Sequence, residues 1–437
     1  MAAEPIPERI TAACAAVRLA TPDDAVAGVQ PLIVATPATT EEASELLRAA
    51  SGLGLAVVPR GTGTRLHWGN PPERCDLVIE TMLLNQVIEH AAGDLVATVQ
   101  AGLALDRLAE VLGSAGQRLA LDPPALSCPT LGEPTSTRGT VGGVLATGAA
   151  GPLRLRYGTG RDLLIGITVV RADGAVARSG GKVVKNVAGY DLGKLFAGSG
   201  GTLGLITEAT FRLHPLPART AYVSATCPAA ADACHLIDAV MRSPASPVAA
   251  EIDWQSAKQP VQLSVALEGD PAGVAERSAA LAGLLGREAP ASVRAEAPPW
   301  WGAGPAAQAD GTVLQIGFWP AKLGAVLAET RAAATVAGLD VAVGGSAAAG
   351  VLSAAVPAGA DPNAVAEFVT LLRAALGQGG RAPDRPGDGQ PARASVVILH
   401  APSEVGKLVD LFGPVPSLAL MRAVKNQFGR ASCRERV

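Results

Sequence analysis

Three glycines fall within five residues of the run Arg138-Gly-Thr-Val-Gly-Gly-Val-Leu-Ala-Thr147, at Gly139, Gly142 and Gly143, where an apolar patch opens like the first turn of a helix. Glycine costs roughly 0.5–1 kcal/mol relative to alanine inside regular structure, so such a run marks a surface from which side chains are excluded. Unpaired N–H groups at a helix start attract an anion. The chemistry this suggests is the holding of a large, flat, charged ligand; a tight turn beneath a packed helix is the competing reading. A second stretch, Pro59-Arg-Gly-Thr-Gly-Thr64, offers amides and hydroxyls that can converge on phosphate oxygens, and a third glycine cluster runs from Gly198 to Gly204. Neither common nucleotide motif is present. Leu66 stands where a dinucleotide fingerprint needs its third glycine, and in Gly189-Tyr-Asp-Leu-Gly-Lys194 only three residues separate the glycines, with Leu195 where Ser or Thr would hold magnesium.

Composition removes other chemistries. Six cysteines, at 14, 75, 128, 227, 234 and 433, form no C-x-x-C, and the five histidines, His67, His90, His214, His235 and His400, are never closer than 21 residues, so no metal or iron–sulfur site is expected. A net charge of −3 with no basic run argues against nucleic acid. No stretch reads as a bilayer span, and Met1–Arg9 lacks a basic-then-apolar signal pattern. The expected location is the cytoplasm, or the periphery of the inner face of the plasma membrane, with membrane contact only through partners. At 437 residues the chain is long enough for two or three domains.

The elements that must position these loops follow from spacing. Residues up to about Val29 are helix-compatible. A strand over Pro31–Ala35 precedes a helix that Thr39 and Glu42 open as a capping box, with Ala43, Leu46, Leu47 and Ala50 on its buried face. Leu55–Val58 is then a buried strand that delivers the chain into the Pro59–Thr64 loop. Leu77–Ile79 and Leu95–Gln100 read as strands and about Ala104–Ala115 as a helix. Asp173-Gly174 turns a hairpin between Leu163–Val170 and Ala175–Ser179, and alternation over Thr207–Leu213 marks a further strand.

Taken together, Pro59–Thr64, Thr140–Gly143, Gly180–Leu192 and Gly198–Thr207 resemble, in order and spacing over roughly residues 30–218, the FAD-dependent oxidoreductases with the p-cresol methylhydroxylase or vanillyl-alcohol oxidase type of flavin domain. Trp68-Gly-Asn-Pro71, Gly151–Asp162 and Lys182–Asp191 are similar to the FAD-binding subunits of glycolate oxidases within that family. The resemblance implies a cofactor-binding set of Arg60, Gly61, Thr62, Gly63, Thr64, Thr140, Val141, Gly142, Gly143, Thr147, Gly201, Thr202, Gly204, Ile206 and Thr207. The first two loops would hold the pyrophosphate and ribityl region, and Thr202–Thr207 would lie along the flavin. Thr64 stands where covalent relatives carry histidine, so noncovalent FAD is expected. Catalytic hydroxy-acid oxidisers of the family read Gly-Ser-Glu-Gly-Thr-Leu-Gly and carry a His-x-His cluster; here Gly200 replaces the acid and the cluster is missing, so no catalytic residue is assigned. Arg154, Arg156, Arg161, Lys182 and Lys185 could bind an anion, face water or contact the FAD phosphates.

The expected fold is α+β: a two-subdomain flavin domain of this type over 1–218 (core about 30–218), a ferredoxin-like α+β cap over 219–410, and a segment 411–437 returning to the first domain. Two strand–helix–strand sets support the cap, one over Tyr222–Leu267 with a helix after Pro271, the other over Val313–Leu376. Gly377–Arg393 reads as a polar loop, and Pro298-Pro-Trp-Trp-Gly302 as a partner-facing anchor or a packed corner. Gly429–Val437 resembles translated sequencing-adapter DNA more than the family's tail; a genuine basic tail is the alternative.

Three functions stay open at this point. The resemblance favours an FAD-binding subunit of a glycolate (2-hydroxy acid) oxidase or dehydrogenase complex, partnered by a catalytic flavin subunit and an iron–sulfur subunit. A self-sufficient FAD-dependent 2-hydroxy acid dehydrogenase and a flavin-free structural subunit are the alternatives.

Overall fold

In the computed structural model, which describes residues 6–127, 136–182, 190–305, 311–377 and 394–428, the chain forms two compact units. One comprises Met1–Ala150, Gly158–Leu216 and Ser417–Val437; the other comprises Gly151–Tyr157 and Pro217–Pro416. Lys185 and most of the Lys182–Asp191 motif, most of the Gly377–Arg393 loop, and the Gly429–Val437 tail lie outside the described residues.

The first unit is built on two sheets. Strands β1 (Val17–Leu19), β2 (Ile33–Ala35), β3 (Val57–Arg60) and β4 (Leu77–Glu80) form a sheet in the order β1-β2-β4-β3, with β2, β4 and β3 parallel. Helix α1 (Thr40–Gly52) makes the crossover from β2 to β3. Thr39 caps its first turn as the sequence predicts, its side chain accepting from the Glu42 amide at 3.1 Å, but the box is not reciprocal: the Glu42 carboxylate accepts from the Ala38 amide, one residue before the cap. Ala43, Leu46, Leu47 and Ala50 are buried on one face of α1, against Leu77 and Ile79 of β4. The stretch before Val29 is less helical than expected. Only Glu8–Ala13 is α-helical; Val17–Leu19 pairs with β2 as an edge strand, and Arg18 on it reaches the Asp24 carboxylate at 2.6 Å.

Strands β5 (Val87–Ala91), β6 (Val96–Gln100), β7 (Leu164–Val170), β8 (Val176–Gly180) and β9 (Leu205–Arg212) form an antiparallel sheet in the order β8-β7-β9-β6-β5. The Asp173-Gly174 turn joins β7 to β8, with Gly174 at φ +81°. Against this sheet pack α2 (Leu105–Gly113) and α3 (Val141–Thr147), through Leu105, Leu108, Leu112, Val141, Val144 and Leu145. A helix near the end of the chain, Leu418–Phe428, belongs to the same unit: Phe428 meets Phe196 edge-on at 5.8 Å, and Lys425 Nζ donates to the Thr202 carbonyl at 2.5 Å.

The second unit contains one eight-stranded antiparallel sheet. Its first half is β10 (Arg219–Cys227), α4 (Ala230–Arg242), β11 (Ala249–Trp254), β12 (Val261–Gly269), α5 (Pro271–Leu285) and β13 (Ala291–Arg294). Its second half is β14 (Thr312–Gly317), α6 (Leu323–Val336), β15 (Ala342–Ser346), β16 (Val351–Val356), α7 (Pro362–Ala375) and β17 (Ser395–His400). The strand order β13-β10-β12-β11-β15-β16-β14-β17 is two ferredoxin-like βαββαβ halves joined through the second strand of each. Glycine marks the join. A Cβ on Gly344 would stand 3.0 Å from the Ile252 carbonyl of β11, and Gly345 sits at φ +128°. These glycines, and the exposed edge position of β13, hide β15 and β13 from a hydrophobic-pattern search. Residues Gly151–Tyr157 are held in this unit by the Tyr157 hydroxyl, which donates to Glu268 at 2.9 Å, and by packing of Leu153 and Tyr157 on Val248, Ala249 and Ala266. Trp301 packs edge-on against Tyr222 at 5.1 Å, the geometry of a packed corner.

Candidate functional site

The carboxyl end of β3 runs directly into Gly61, and here the three glycine-rich stretches converge on one cleft of the first unit. Arg60, Gly61, Thr62, Gly63, Thr64, Thr140, Gly142, Gly143, Thr147, Gly201, Gly204 and Ile206 all line it; its empty volume is about 690 Å³, counting solvent at the mouth. A ligand crevice outside the carboxyl ends of parallel strands is the usual arrangement in open α/β sheets. Three residues of the expected set lie outside the lining. Val141 is 1% exposed and packs in the core, Thr202 donates to the Ser199 carbonyl at 2.7 Å, and the fully buried Thr207 donates to the Thr168 carbonyl.

The start of α3 differs from its expected role. The Val141 amide donates to the Leu103 carbonyl at 2.9 Å, the Gly142 amide to the Ala101 carbonyl at 2.7 Å, and the Gly143 amide to the Thr140 side chain at 3.3 Å. These three amides are therefore committed to protein acceptors and are not open to an anion. Gly142 has a packing reason as well: a Cβ there would stand 2.7 Å from the Ala101 Cβ. A Cβ on Gly143 would meet only the Thr140 hydroxyl oxygen, at 3.1 Å, so this residue gives the cleft wall its bareness at little cost to packing. In the third stretch Gly200 and Gly201 take φ +64° and +75°, a left-handed pair that L side chains rarely adopt.

The Gly61–Arg65 loop differs from the head of α3 in how its amides are used. Among the described residues no hydrogen bond is made by the Gly61, Gly63 or Thr64 amide. Gly61 abuts Thr140 so closely that a Cβ would lie 2.2 Å from its hydroxyl, which ties this loop to the head of α3.

Two arginines flank the loop, and only their surroundings separate them. The Arg60 guanidinium, 2% exposed, is bound by Asp24 and Glu80, both at 2.6 Å. Arg18 completes the cluster on Asp24, and its hydrogen bond, followed by that of Arg60, holds the Asp24 carboxyl well below the usual carboxylate range despite burial. Two cations and two carboxylates cancel, so Arg60 contributes backbone to the cleft but no net charge. Arg65 is 5% exposed and has no carboxylate partner among the described residues. Its Nη1 donates to the Arg138 carbonyl at 3.1 Å and its Nη2 to the Pro124 carbonyl at 2.8 Å; the guanidinium lies 5.5 Å from the Trp68 ring centroid, and burial alone pushes its pKa down to about 10. Sequence reasoning named Arg60 and passed over Arg65. The available signal was the absence of an acid near Arg65 in Gly61–Asn70, but compensation from distant residues is not visible in a string.

A bare wall at Gly143, open loop amides and an uncompensated buried cation fit a flat ligand with a multiply charged anionic linker, which is the shape and charge of FAD. Among the described residues no cluster of three His, Cys, Asp or Glu side chains could hold a metal ion.

Residues 31–180 match the FAD binding domain family. The chain is 38% identical over 187 residues to the glycolate oxidase subunit GlcD of Bacillus subtilis (strain 168), covering 43% of this chain and 38% of that protein. It is 35% identical over 210 residues to a D-lactate dehydrogenase of Archaeoglobus fulgidus, covering 48% of this chain and 45% of that one. The match thus spans less than half the length of either relative. Among solved structures, p-cresol methylhydroxylase with substrate bound superposes with a TM-score of 0.72 at 15% identity, covering 98% of this chain and 96% of that one. An alkyldihydroxyacetonephosphate synthase superposes with a TM-score of 0.66 at 16% identity, over 92% and 75% of the two chains. The fold is therefore that of the p-cresol methylhydroxylase type.

Proposed function

We propose that this chain, which carries an FAD binding domain over residues 31–180, binds FAD noncovalently and serves as the FAD-binding subunit of a glycolate (2-hydroxy acid) oxidase or dehydrogenase complex. Its partners in that reading are a catalytic flavin subunit and an iron–sulfur subunit, in the cytoplasm or at the inner face of the plasma membrane. Among the described residues no helix is long and apolar enough to cross a membrane. The observation that carries the cofactor assignment is the convergence of three glycine-rich loops on one cleft beside an arginine with no carboxylate partner among the described residues. The likeness to a glycolate oxidase subunit supports the substrate class.

When bound, FAD supplies a hydride acceptor. The chain's own residues would bind and orient it: the Gly61, Gly63 and Thr64 amides would face the anionic linker, Gly143 would leave room for a flat group, and the Arg18–Asp24–Arg60–Glu80 cluster anchors the loop's entry. Oxidation of a 2-hydroxy acid also needs a base for the hydroxyl proton and a cation for the carboxylate. Among the described residues the cleft lining includes arginine but no His, Asp, Glu or Lys, which favours a partner as the source of the base. The likeness to a D-lactate dehydrogenase favours a second reading, a self-sufficient 2-hydroxy acid dehydrogenase.

Two measurements test this. Acid precipitation should release the flavin, and flavin remaining on the pellet would defeat noncovalent binding. Anaerobic mixing of the flavin-loaded chain with excess glycolate or D-lactate should leave the flavin band unbleached; bleaching at about 10 s⁻¹, a median enzyme turnover, would favour the self-sufficient enzyme.

A further inference from the structure

The Thr64 hydroxyl is the polar group through which the Arg65 charge can reach the cleft. Arg65 Nη1 donates to Thr64 Oγ1 at 3.2 Å, and both residues are 5% exposed and line the cleft. A hydroxyl carries one proton and two acceptor positions. With a guanidinium N–H on its oxygen, the proton of Thr64 is turned away from Arg65, and no acceptor for it is found among the described residues. The neighbouring threonines are spent otherwise. Thr140 accepts from the Gly143 amide, Thr147 donates to the Gly143 carbonyl at 2.8 Å, and Thr202 donates to the Ser199 carbonyl. Arg65 itself is held back from the ligand space: Nη1 and Nη2 are engaged by carbonyls of Arg138 and Pro124, and Nε is buried without an acceptor.

We infer that Arg65 is a positioning residue, which orients and polarises the Thr64 hydroxyl as a donor to an anionic group in the cleft, the pyrophosphate of the dinucleotide. The inference rests on the FAD reading above. A charge-assisted donor in a site of low dielectric is stronger than a neutral one, and the Arg65 cation needs no direct contact to act this way. Its depressed pKa agrees with a charge that lacks a protein counter-ion.

The test titrates the flavin-stripped full chain with FAD, with riboflavin, which lacks phosphate, and with inorganic pyrophosphate as competitor. The chains compared are wild type, Thr64→Val, Thr64→Ser, Arg65→Gln, Arg65→Lys and the Thr64→Val/Arg65→Gln double variant. Thr64→Val and Arg65→Gln should each weaken FAD roughly tenfold, as expected for one hydrogen bond to a charged group, while riboflavin stays within about twofold. Thr64→Ser should restore FAD, Arg65→Lys should recover part of the loss, and the double variant should be no weaker than the worse single variant. FAD affinity unchanged in Arg65→Gln, equal losses for FAD and riboflavin, or a double loss of roughly a hundredfold from two independent contacts would each overturn the inference. Should Arg65→Gln fail to fold, Thr64→Val decides: FAD held as tightly as by wild type overturns it, and a loss confined to FAD supports it. A wild-type chain that binds neither flavin sinks the FAD reading separately, and the inference then stands or falls on whether pyrophosphate protects wild type more than Arg65→Gln from thermal unfolding.

Discussion

The Gly61–Arg65 loop and the head of α3 look alike as strings, each short, glycine-rich and opened or capped by threonine, yet they spend their backbones differently. At α3 the amides of Val141 and Gly142 are taken by Leu103 and Ala101, because the helix is docked against the strand end that follows β6, and that of Gly143 is taken by the capping Thr140 side chain. In the loop the amides of Gly61, Gly63 and Thr64 have no such partner among the described residues. Glycine thus allows close packing in one place and exposes donors in the other. The same contrast separates the arginines: Arg60 is neutralised by Asp24 and Glu80, and Arg65 has no carboxylate partner among the described residues. The depression of Arg65 from 12.5 to about 10 corresponds to roughly 3 kcal/mol of disfavoured charge, which an anion in the cleft would offset.

The largest expected effect lies in the neutralised cluster. Arg60→Met leaves Glu80 without a cation at 2.6 Å and Asp24 with Arg18 alone, and should destabilise the flavin-free chain by about 3 kcal/mol in urea unfolding, with FAD affinity of the folded fraction nearly unchanged. A large loss of FAD affinity without loss of stability would reverse the roles given to the two arginines. The acid limb sharpens the point. Because the Asp24 carboxyl is held below its ordinary 3.8, its stabilisation is whole above that pH and is lost as the pH falls through the lower folded value. Asp24→Asn should therefore be less stable than wild type at neutral pH, with the gap closing below pH 3.8.

Next comes the glycine pair. Gly142→Val drives side-chain atoms into Ala101 and should cost about 2 kcal/mol of stability, read as a melting temperature lower by roughly 5 °C. At Gly143 an added Cβ meets only the Thr140 hydroxyl, so Gly143→Val should leave the melting temperature close to wild type while flavin retention is lost. Retained flavin in Gly143→Val would remove this face from the cofactor surface. Thr140→Val tests the smallest term: loss of its acceptor for the Gly143 amide should cost about 1 kcal/mol, measured by thermal unfolding of the flavin-free chain.

Much of this was determined by the sequence alone. The capping pair Thr39 and Glu42 sets the start of α1, the Asp173-Gly174 turn sets the β7–β8 hairpin, and the period of apolar residues places the four long helices and most strands of the second unit. These features depend on neighbours a few residues apart, which a string displays. The three glycine-rich stretches were legible for the same reason, as candidates for one ligand. Tertiary structure alone decided what each does. Arg60 is quenched by partners 36 and 20 residues away, and Arg65 is anchored by carbonyls 59 and 73 residues away. The Val141 and Gly142 amides of α3 are consumed by a strand end about forty residues earlier in the chain. Strands β13, β15 and β17 were missed: β13 is an exposed edge, β15 holds the adjacent glycines where two halves of a sheet meet, and β17 is an edge strand that follows a long polar stretch of sequence. Charge compensation and amide commitment are sums over space, and residue order carries them only after the chain has folded.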